Sequence, residues 1–104
     1  ACINTGGEKV YPEEVEETLK THPDVEDCLV FGLDDERFGQ RVVGVVSAAP
    51  EASPDPNAII EHTRARLAHF KVPRELIVVD VVPRAPNGKA DYASARTCFV
   101  DGAS

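Results

Sequence analysis

The stretch VEDCLVFGLDDERFGQRVVGVVSAA, residues 25–49, decides the fold. Val25–Leu33 and Arg41–Ala49 are rich in β-branched and other apolar residues, which is typical of strands. The first strand alternates imperfectly, so we expect it to be buried on both faces or to carry a bulge. Because only the polar loop Asp34–Gly39 separates them, the two strands are predicted to pair antiparallel.

Helices are predicted on either side of this pair. Pro12, followed by several glutamates, marks the start of a helix that ends at His22-Pro23. The glutamates are interpreted as a solvated first turn stabilised by the helix dipole. A second helix, capped by Asp55 or Asn57, is predicted to continue until Val72-Pro73 stops it.

The C-terminal part is predicted to add one more strand and one short helix. Leu76–Val82 is Val-rich and is expected to be a central strand. Pro83–Lys89 is a turn, in which Asn87-Gly88 is the typical signal of a two-residue hairpin loop. Asp91 caps a helix through Ala95, and residues 99–104 are expected to form a tail.

The predicted fold is one α+β domain over residues 1–104, with a small, mostly antiparallel sheet of about three main strands flanked by helices. The net charge of −7 opposes binding to a phosphate backbone, so no nucleic acid is expected as a partner. No apolar run approaches the roughly 20 residues of a membrane span. Three widely spaced cysteines favour a reducing, cytoplasmic location.

Two glycine-containing turns are the candidates for chemistry. Gly6-Gly7-Glu8-Lys9 is either a plain tight turn or a place where a ligand approaches the backbone closely. Lys89 follows the second turn, where it is either an ordinary surface lysine or an ammonium presented to a phosphate. The three histidines do not complete a ligand set, so no metal site is expected.

Five segments in order resemble the C-terminal domain of acyl-CoA synthetases, within the superfamily of AMP-binding, acyl-adenylate-forming enzymes. Ile3–Glu16 resembles the family pattern Ile-x-x-Gly-Gly-x-x-Val-x-Pro-x-Glu-[Ile/Val]-Glu, in the form typical of fatty-acid-CoA ligases. The other matching segments are His22–Val30, Asp34–Gln40, Leu67–Arg74 and Pro83–Lys89.

The resemblance implies a reaction in two steps. A carboxylate, most typically of a fatty acid in this branch, reacts with ATP to give acyl-adenylate and pyrophosphate, and coenzyme A then displaces AMP. ATP and coenzyme A are substrates, and Mg²⁺ is expected in the full-length enzyme. A large N-terminal adenylation domain of the same chain would bind ATP and the acyl group. The present chain would be its swivelling lid, inactive alone.

The same resemblance implies roles for individual residues. Lys89 matches the lysine that acts in adenylation, and its exposure would make it a target for a lysine acetyltransferase and deacetylase. Gly6, Gly7 and their neighbour Glu8 are expected to line the path of the pantetheine arm. Lys9 is expected to face the nucleotide, and Phe70 and Lys71 are expected to contact the nucleotide of coenzyme A.

A binding module of the same fold is the alternative, acting in trans on a separate adenylating subunit. The sequence does not start with Met, and the family's hinge residue would fall at or just before Ala1, in a stretch that is missing. Both features favour the interpretation as part of a longer enzyme.

Overall fold

The computed structural model describes the backbone of residues 2–103 and the side chains of residues 2–99. Its sheet has five strands: β1 (Ile3–Thr5), β2 (Glu8–Val10), β3 (Val25–Asp35), β4 (Gly39–Ala48) and β5 (Glu75–Val79). β3 pairs antiparallel with β4 along its whole length, as predicted. The opposite edge of β4 holds β1, which is antiparallel, and β5, which is parallel.

The sheet confirms the predicted class and corrects one prediction. It is mostly antiparallel, as expected, with β3, β4 and β5 as its three main strands, and β1 and β2 add two short strands. The strand at Glu75–Val79 is not central, since it pairs with β4 alone. The exposed Val78 fits this position at an edge.

β3 is both bulged and buried on its two faces, which explains its imperfect alternation. The register with β4 shifts between Val25 and Asp27. Beyond the shift, Cys28 and Val30 pack in one apolar cluster, whereas Leu29 and Phe31 pack in the other. The bulge therefore places Val25 on the face of Cys28 and Val30, and the regular alternation beyond it leaves Asp27 on the face of Leu29 and Phe31.

The helices cover these two faces. The α-helices are α1 (Pro12–Lys20), α2 (Pro56–Arg64) and α3 (Tyr92–Ala103), and a 3₁₀ helix spans His69–Lys71. Asp55, one of the two predicted caps, accepts a hydrogen bond from the backbone N–H of Asn57 at 3.0 Å. α2 ends at Arg64, earlier than predicted, and Phe70, which extended the apolar pattern, lies instead in the 3₁₀ helix.

The C-terminal helix is longer than predicted. It runs from Tyr92 to Ala103 instead of ending at Ala95, so the predicted tail at residues 99–104 falls within it as far as Ala103. The ring of Phe99 packs edge-on against Phe31, with the centroids 5.6 Å apart, which gives the extra turns an apolar anchor. Ser104 lies outside the described residues. Among residues 2–103, no helix has the length and apolar character needed to cross a bilayer.

Candidate functional site

The Gly6-Gly7 turn joins β1 and β2 as a tight hairpin, which we call the first hairpin (Ile3–Val10). Its two central residues have φ angles of 57° and 85°, the positive values that a type I′ turn requires at both positions. The backbone N–H of Gly6 donates to the carbonyl of Phe38 at 2.9 Å. The first hairpin is therefore fixed to the loop before β4 by its own backbone.

A groove with a volume of about 690 Å³ opens beside the first hairpin. It brings together three of the predicted site residues, Gly6, Glu8 and Phe70. Phe38 and Arg74 line the same groove. An open groove of this kind, with a glycine edge and two aromatic rings, can accept a thin, partly apolar ligand.

Phe38 and Arg74 line a part of the groove that sequence reasoning missed. The guanidinium carbons of Arg37 and Arg74 lie 5.1 and 5.2 Å from the centre of the Phe38 ring. Asp35 accepts the backbone N–H groups of Phe38 and Arg37, both at 2.9 Å, and these hydrogen bonds hold the pKa of its carboxyl below the usual range. Phe38 lies in the loop before β4, whereas Phe70 and Arg74 come from a distant segment, so no local pattern signals that they meet.

The other residues predicted around this turn lie outside the groove. Among the described residues, its lining does not include Gly7, Lys9 or Lys71. Lys9 is exposed on β2. The ammonium of Lys71 is paired with both carboxylate oxygens of Glu14 in α1, at 2.8 and 3.0 Å, so the structure places it in an ion pair between helices.

Lys89 lies on a different part of the surface, at the end of the second hairpin (Pro83–Lys89). Its loop has three residues, Pro86 to Gly88, and not two as the Asn87-Gly88 signal predicted. The backbone N–H of Ala85 donates to the carbonyl of Lys89, and that of Gly88 donates to the carbonyl of Ala85, both at 2.8 Å. Gly88 has φ of 86°, as expected where a type I turn is followed by a left-handed residue. The Lys89 side chain is exposed.

An ion pair connects the second hairpin to the sheet. Nε and Nη2 of Arg84 donate to the two carboxylate oxygens of Asp27, at 2.9 and 2.8 Å. Nη1 of Arg84 donates to the carbonyl of Gly88 at 3.3 Å. The guanidinium holds the pKa of Asp27 below its usual range, and the carboxylate raises that of Arg84. Sequence reasoning missed this pair because its members are 57 positions apart.

Glu16 is an exception to the solvated face that the sequence predicts for most of the α1 glutamates. It is half-buried, and its Oε2 accepts the backbone N–H of Val30 at 2.9 Å and the hydroxyl of Tyr92 at 3.0 Å. Burial raises the pKa of its carboxyl. Burial likewise raises the pKa of the neighbouring Cys28 thiol to about 12, which leaves it a poor nucleophile at neutral pH.

Two of the three histidines, His22 and His62, pack against one another, and His62 also contacts the hydroxyl of Thr21. The rings of His22 and His62 meet edge-on with centroids 5.0 Å apart, and Nε2 of His62 is 2.7 Å from Oγ1 of Thr21. Within the described part of the chain, no group of three or more His, Cys, Asp or Glu residues is arranged to hold a metal ion.

Comparison with known proteins agrees with this arrangement. Residues 14–89 match the family model described as the AMP-binding enzyme C-terminal domain, a match that ends at Lys89. The chain is 53% identical over 94 residues to a medium/long-chain-fatty-acid–CoA/3-oxocholest-4-en-26-oate–CoA ligase of Mycobacterium tuberculosis, covering 90% of this chain and 17% of the relative. It is 49% identical to a 3-oxocholest-4-en-26-oate–CoA ligase of Rhodococcus rhodochrous, with the same two coverages.

The fold is shared with full-length enzymes of known structure. A fatty acyl CoA synthetase of Mycobacterium tuberculosis superposes with a TM-score of 0.85 at 33% identity, over 97% of this chain and 20% of that one. The chain thus spans about a fifth or less of the relatives that it matches. Because these relatives carry the domain within a longer chain, the alternative of a module acting in trans is not favoured. By its matched segment, its sheet and its hairpins, the chain belongs to the AMP-binding enzyme C-terminal domain family.

Proposed function

We propose that this domain is the C-terminal lid of an ATP-dependent, AMP-forming acid–CoA ligase and that Lys89 is its adenylation lysine. The observation that carries the proposal is the exposed Lys89 at the end of a stiff hairpin, at the last position that the family model matches. The relatives named as CoA ligases support the reaction class.

In the first step, a carboxylate oxygen of the acid attacks the α-phosphorus of ATP, and pyrophosphate leaves with the electrons of the broken P–O bond. Negative charge increases on the oxygens around phosphorus during this step. An ammonium delivered by the second hairpin stabilises that charge in the transition state. ATP, the acyl group and the Mg²⁺ that accompanies ATP are held by the N-terminal adenylation domain, which forms the other side of the site.

In the second step, the sulfur of coenzyme A attacks the acyl carbon of the acyl-adenylate, and AMP leaves. The groove beside the first hairpin is the proposed path for the thin arm of coenzyme A, with Gly6, Glu8 and Phe70 along it. Gly7, Lys9 and Lys71 are proposed to act at its margin. Lys71 can bind a phosphate of coenzyme A only by exchanging its ion pair with Glu14.

The proposed substrate class is medium- or long-chain fatty acids and related steroid carboxylic acids, because the relatives' names contain these acids. The proposed location is the cytoplasm, where ATP and coenzyme A are available and the three cysteines, free in the described structure, stay reduced.

The test uses the full-length ligase that carries this domain, with its own N-terminal domain or that of the 53% identical relative. Pyrophosphate release is measured across a panel of carboxylic acids, and thioester formation is measured from supplied acyl-adenylate. Lys89→Ala is expected to slow the first reaction by about 10²- to 10³-fold, the usual effect of removing one transition-state donor, and to spare the second. Arg66→Ala, at an exposed cation away from both the groove lining and Asp27, is the control. Equal losses in both reactions would contradict the assigned role.

The exposure of Lys89 also supports a proposed regulation by reversible acetylation. Acetylation removes the positive charge on which the first step depends. Incubation with a lysine acetyltransferase and acetyl-CoA should modify Lys89 and stop pyrophosphate release, and a deacetylase should restore it. Mass spectrometry that finds Lys89 unmodified while other lysines react would refute this proposal.

A further inference from the structure

The second hairpin has few attachments to the rest of the domain. Its hydrogen bonds run mainly within residues 83–91, between backbone groups of the hairpin itself. Among the described residues, the contact that joins its polar groups to the sheet is the pair between Arg84 and Asp27. Apolar support comes from its ends, where Val82 is buried and Ala90 is partly buried.

The Asp27 carboxylate is itself held in a fixed orientation. The alternation of β3 places it on the face of Leu29 and Phe31, where Arg84 reaches it. Its Oδ1 also accepts the backbone N–H of Cys28 at 2.9 Å, and Nζ of Lys20 lies 3.6 Å away. Both carboxylate oxygens of Asp27 accept hydrogen bonds from Arg84. A bidentate arginine–carboxylate pair of this kind fixes the orientation of the guanidinium as well as its distance. The sheet thus presents the Asp27 carboxylate to Arg84 in a fixed position.

Arg84 also contacts the loop of the second hairpin. Its third donor, Nη1, reaches the carbonyl of Gly88, the residue directly before Lys89. One guanidinium therefore contacts both the sheet and the tip of the hairpin. Ordinary exposed ion pairs contribute little to stability, so the geometry of this pair is better suited to positioning than to holding the fold together.

From this geometry we propose that Arg84 and Asp27 are positioning residues for Lys89, which fix the second hairpin on the sheet and thereby set the rate of the first half-reaction. The inference rests on the proposed function for its catalytic consequence, whereas its structural part stands on the ion pair alone. Because the transition state requires the ammonium at a defined place, a small displacement of Lys89 lowers the adenylation rate without preventing the substrates from binding.

The structural test measures amide hydrogen exchange in this 104-residue chain by NMR. Arg84→Gln should increase the exchange of the Ala85 and Gly88 amides roughly tenfold, since hydrogen bonds to charged groups are among the stronger ones. Arg41→Gln is the matched control, because Arg41 forms a 2.8 Å pair with Glu75 and is as exposed as Arg84, 30% against 33%. Unchanged exchange in Arg84→Gln, with an unchanged melting temperature, would overturn the proposal.

The functional test measures both half-reactions in the full-length ligase. Arg84→Gln should lower kcat for adenylation by up to about 100-fold, with little change in KM for ATP and with thioester formation retained. Arg84→Lys keeps the charge but not the two-point contact, and should recover part of the rate. Loss of both half-reactions in proportion, or a loss no greater than that of Arg41→Gln, would overturn the proposal.

A double-mutant cycle supplies an independent measurement. Asp27→Asn should reproduce the loss seen with Arg84→Gln, and the double variant should be no slower than either single one, because all three break the same contact. Losses that multiply would overturn the proposal. If Lys89→Ala leaves adenylation unchanged in the same assay, the proposed function is wrong, and the exchange measurement still decides whether the pair fixes the hairpin.

Discussion

The first hairpin and the second hairpin both turn through glycine at positive φ, yet they are attached to the domain in different ways. The first belongs to the sheet, because β1 pairs with β4 and Gly6 donates to the carbonyl of Phe38. The second lies beyond the sheet, and its polar attachment is one ion pair between side chains. The first is therefore fixed by the fold, whereas the second is fixed by an interaction that can be removed without unfolding the domain.

The difference matches the two proposed tasks. A groove that admits the arm of coenzyme A needs constant walls, which backbone pairing provides. A lysine that acts in one half-reaction and moves away in the other needs a supporting hairpin that holds it at a defined position during the first. The following predictions test this contrast, beginning with the largest expected effect.

Lys9 and Lys89 compare the two hairpins directly, because each is an exposed lysine close to a glycine turn. In the full-length ligase, Lys89→Ala should slow pyrophosphate release by about 10²- to 10³-fold. Lys9→Ala should slow it by less than about tenfold, since a lysine at the margin of the groove contributes binding rather than transition-state charge. A larger loss in Lys9→Ala would reverse the assignment of the hairpins.

Gly7 and Gly88 form a matched pair for stability. Their φ angles are 85° and 86°, and an added Cβ would meet nothing within 4 Å at either position. Alanine should therefore cost about 1–2 kcal/mol of backbone strain at both sites. Gly7→Ala should lower the free energy of unfolding by that amount. Gly88→Ala should instead increase amide exchange locally and leave chemical denaturation almost unchanged. Equal denaturation midpoints for Gly7→Ala and Gly88→Ala would show that both hairpins unfold together with the rest of the domain.

The Phe38 ring tests the support of the first hairpin. Two guanidiniums flank it, and exposed cation–π contacts contribute about 0.5–1 kcal/mol each. Phe38→Leu should lower the free energy of unfolding by about 1 kcal/mol and should increase exchange of the Gly6 amide, with no effect at Ala85. Tyr11→Leu, at an exposed aromatic residue, is the control. An effect on the second hairpin would mean that the two are coupled.

Acid should loosen the second hairpin through the Asp27 carboxylate. Arg84, helped by Lys20, holds the pKa of Asp27 below the unfolded value of about 3.9. An acid with a lowered folded pKa stabilises the fold above its unfolded pKa, and this stabilisation is lost as the pH falls through the folded pKa. Protection of the Ala85 amide should therefore decline below about pH 4 and should be insensitive to pH in Asp27→Asn. The Gly6 amide should also lose protection in acid, because Asp35, which accepts the N–H of Phe38, has a lowered pKa as well, but this response should persist in Asp27→Asn. An Ala85 response to pH that also persists in Asp27→Asn would contradict the assigned attachment.

The sequence predicted the features that depend on neighbouring residues. Pro12, Asp55 and Asp91 all mark helix starts that the structure contains, because caps and first turns are local. The β3–β4 pair was predicted for the same reason. The glycine turn at Gly6-Gly7 was also visible, since its conformation requires residues without a side chain.

The features that sequence reasoning missed depend on distant partners. β5 was expected to be central because it is Val-rich, but composition does not report which strands lie beside it. The pairs Arg84–Asp27 and Lys71–Glu14 each join residues 57 positions apart. Lys71 looked like a ligand for coenzyme A, and its position opposite Glu14 became apparent only in three dimensions.

The long separation within the Arg84–Asp27 pair also has a consequence for folding order. β3 and β4 are neighbours in sequence and can pair early, whereas β5 must return across α2 to lie parallel to β4. Arg84 follows β5, so it can reach the Asp27 carboxylate only after that slower step. We therefore expect Lys89 to be presented only by chains that have completed the sheet, so that a partly folded ligase would not start adenylation.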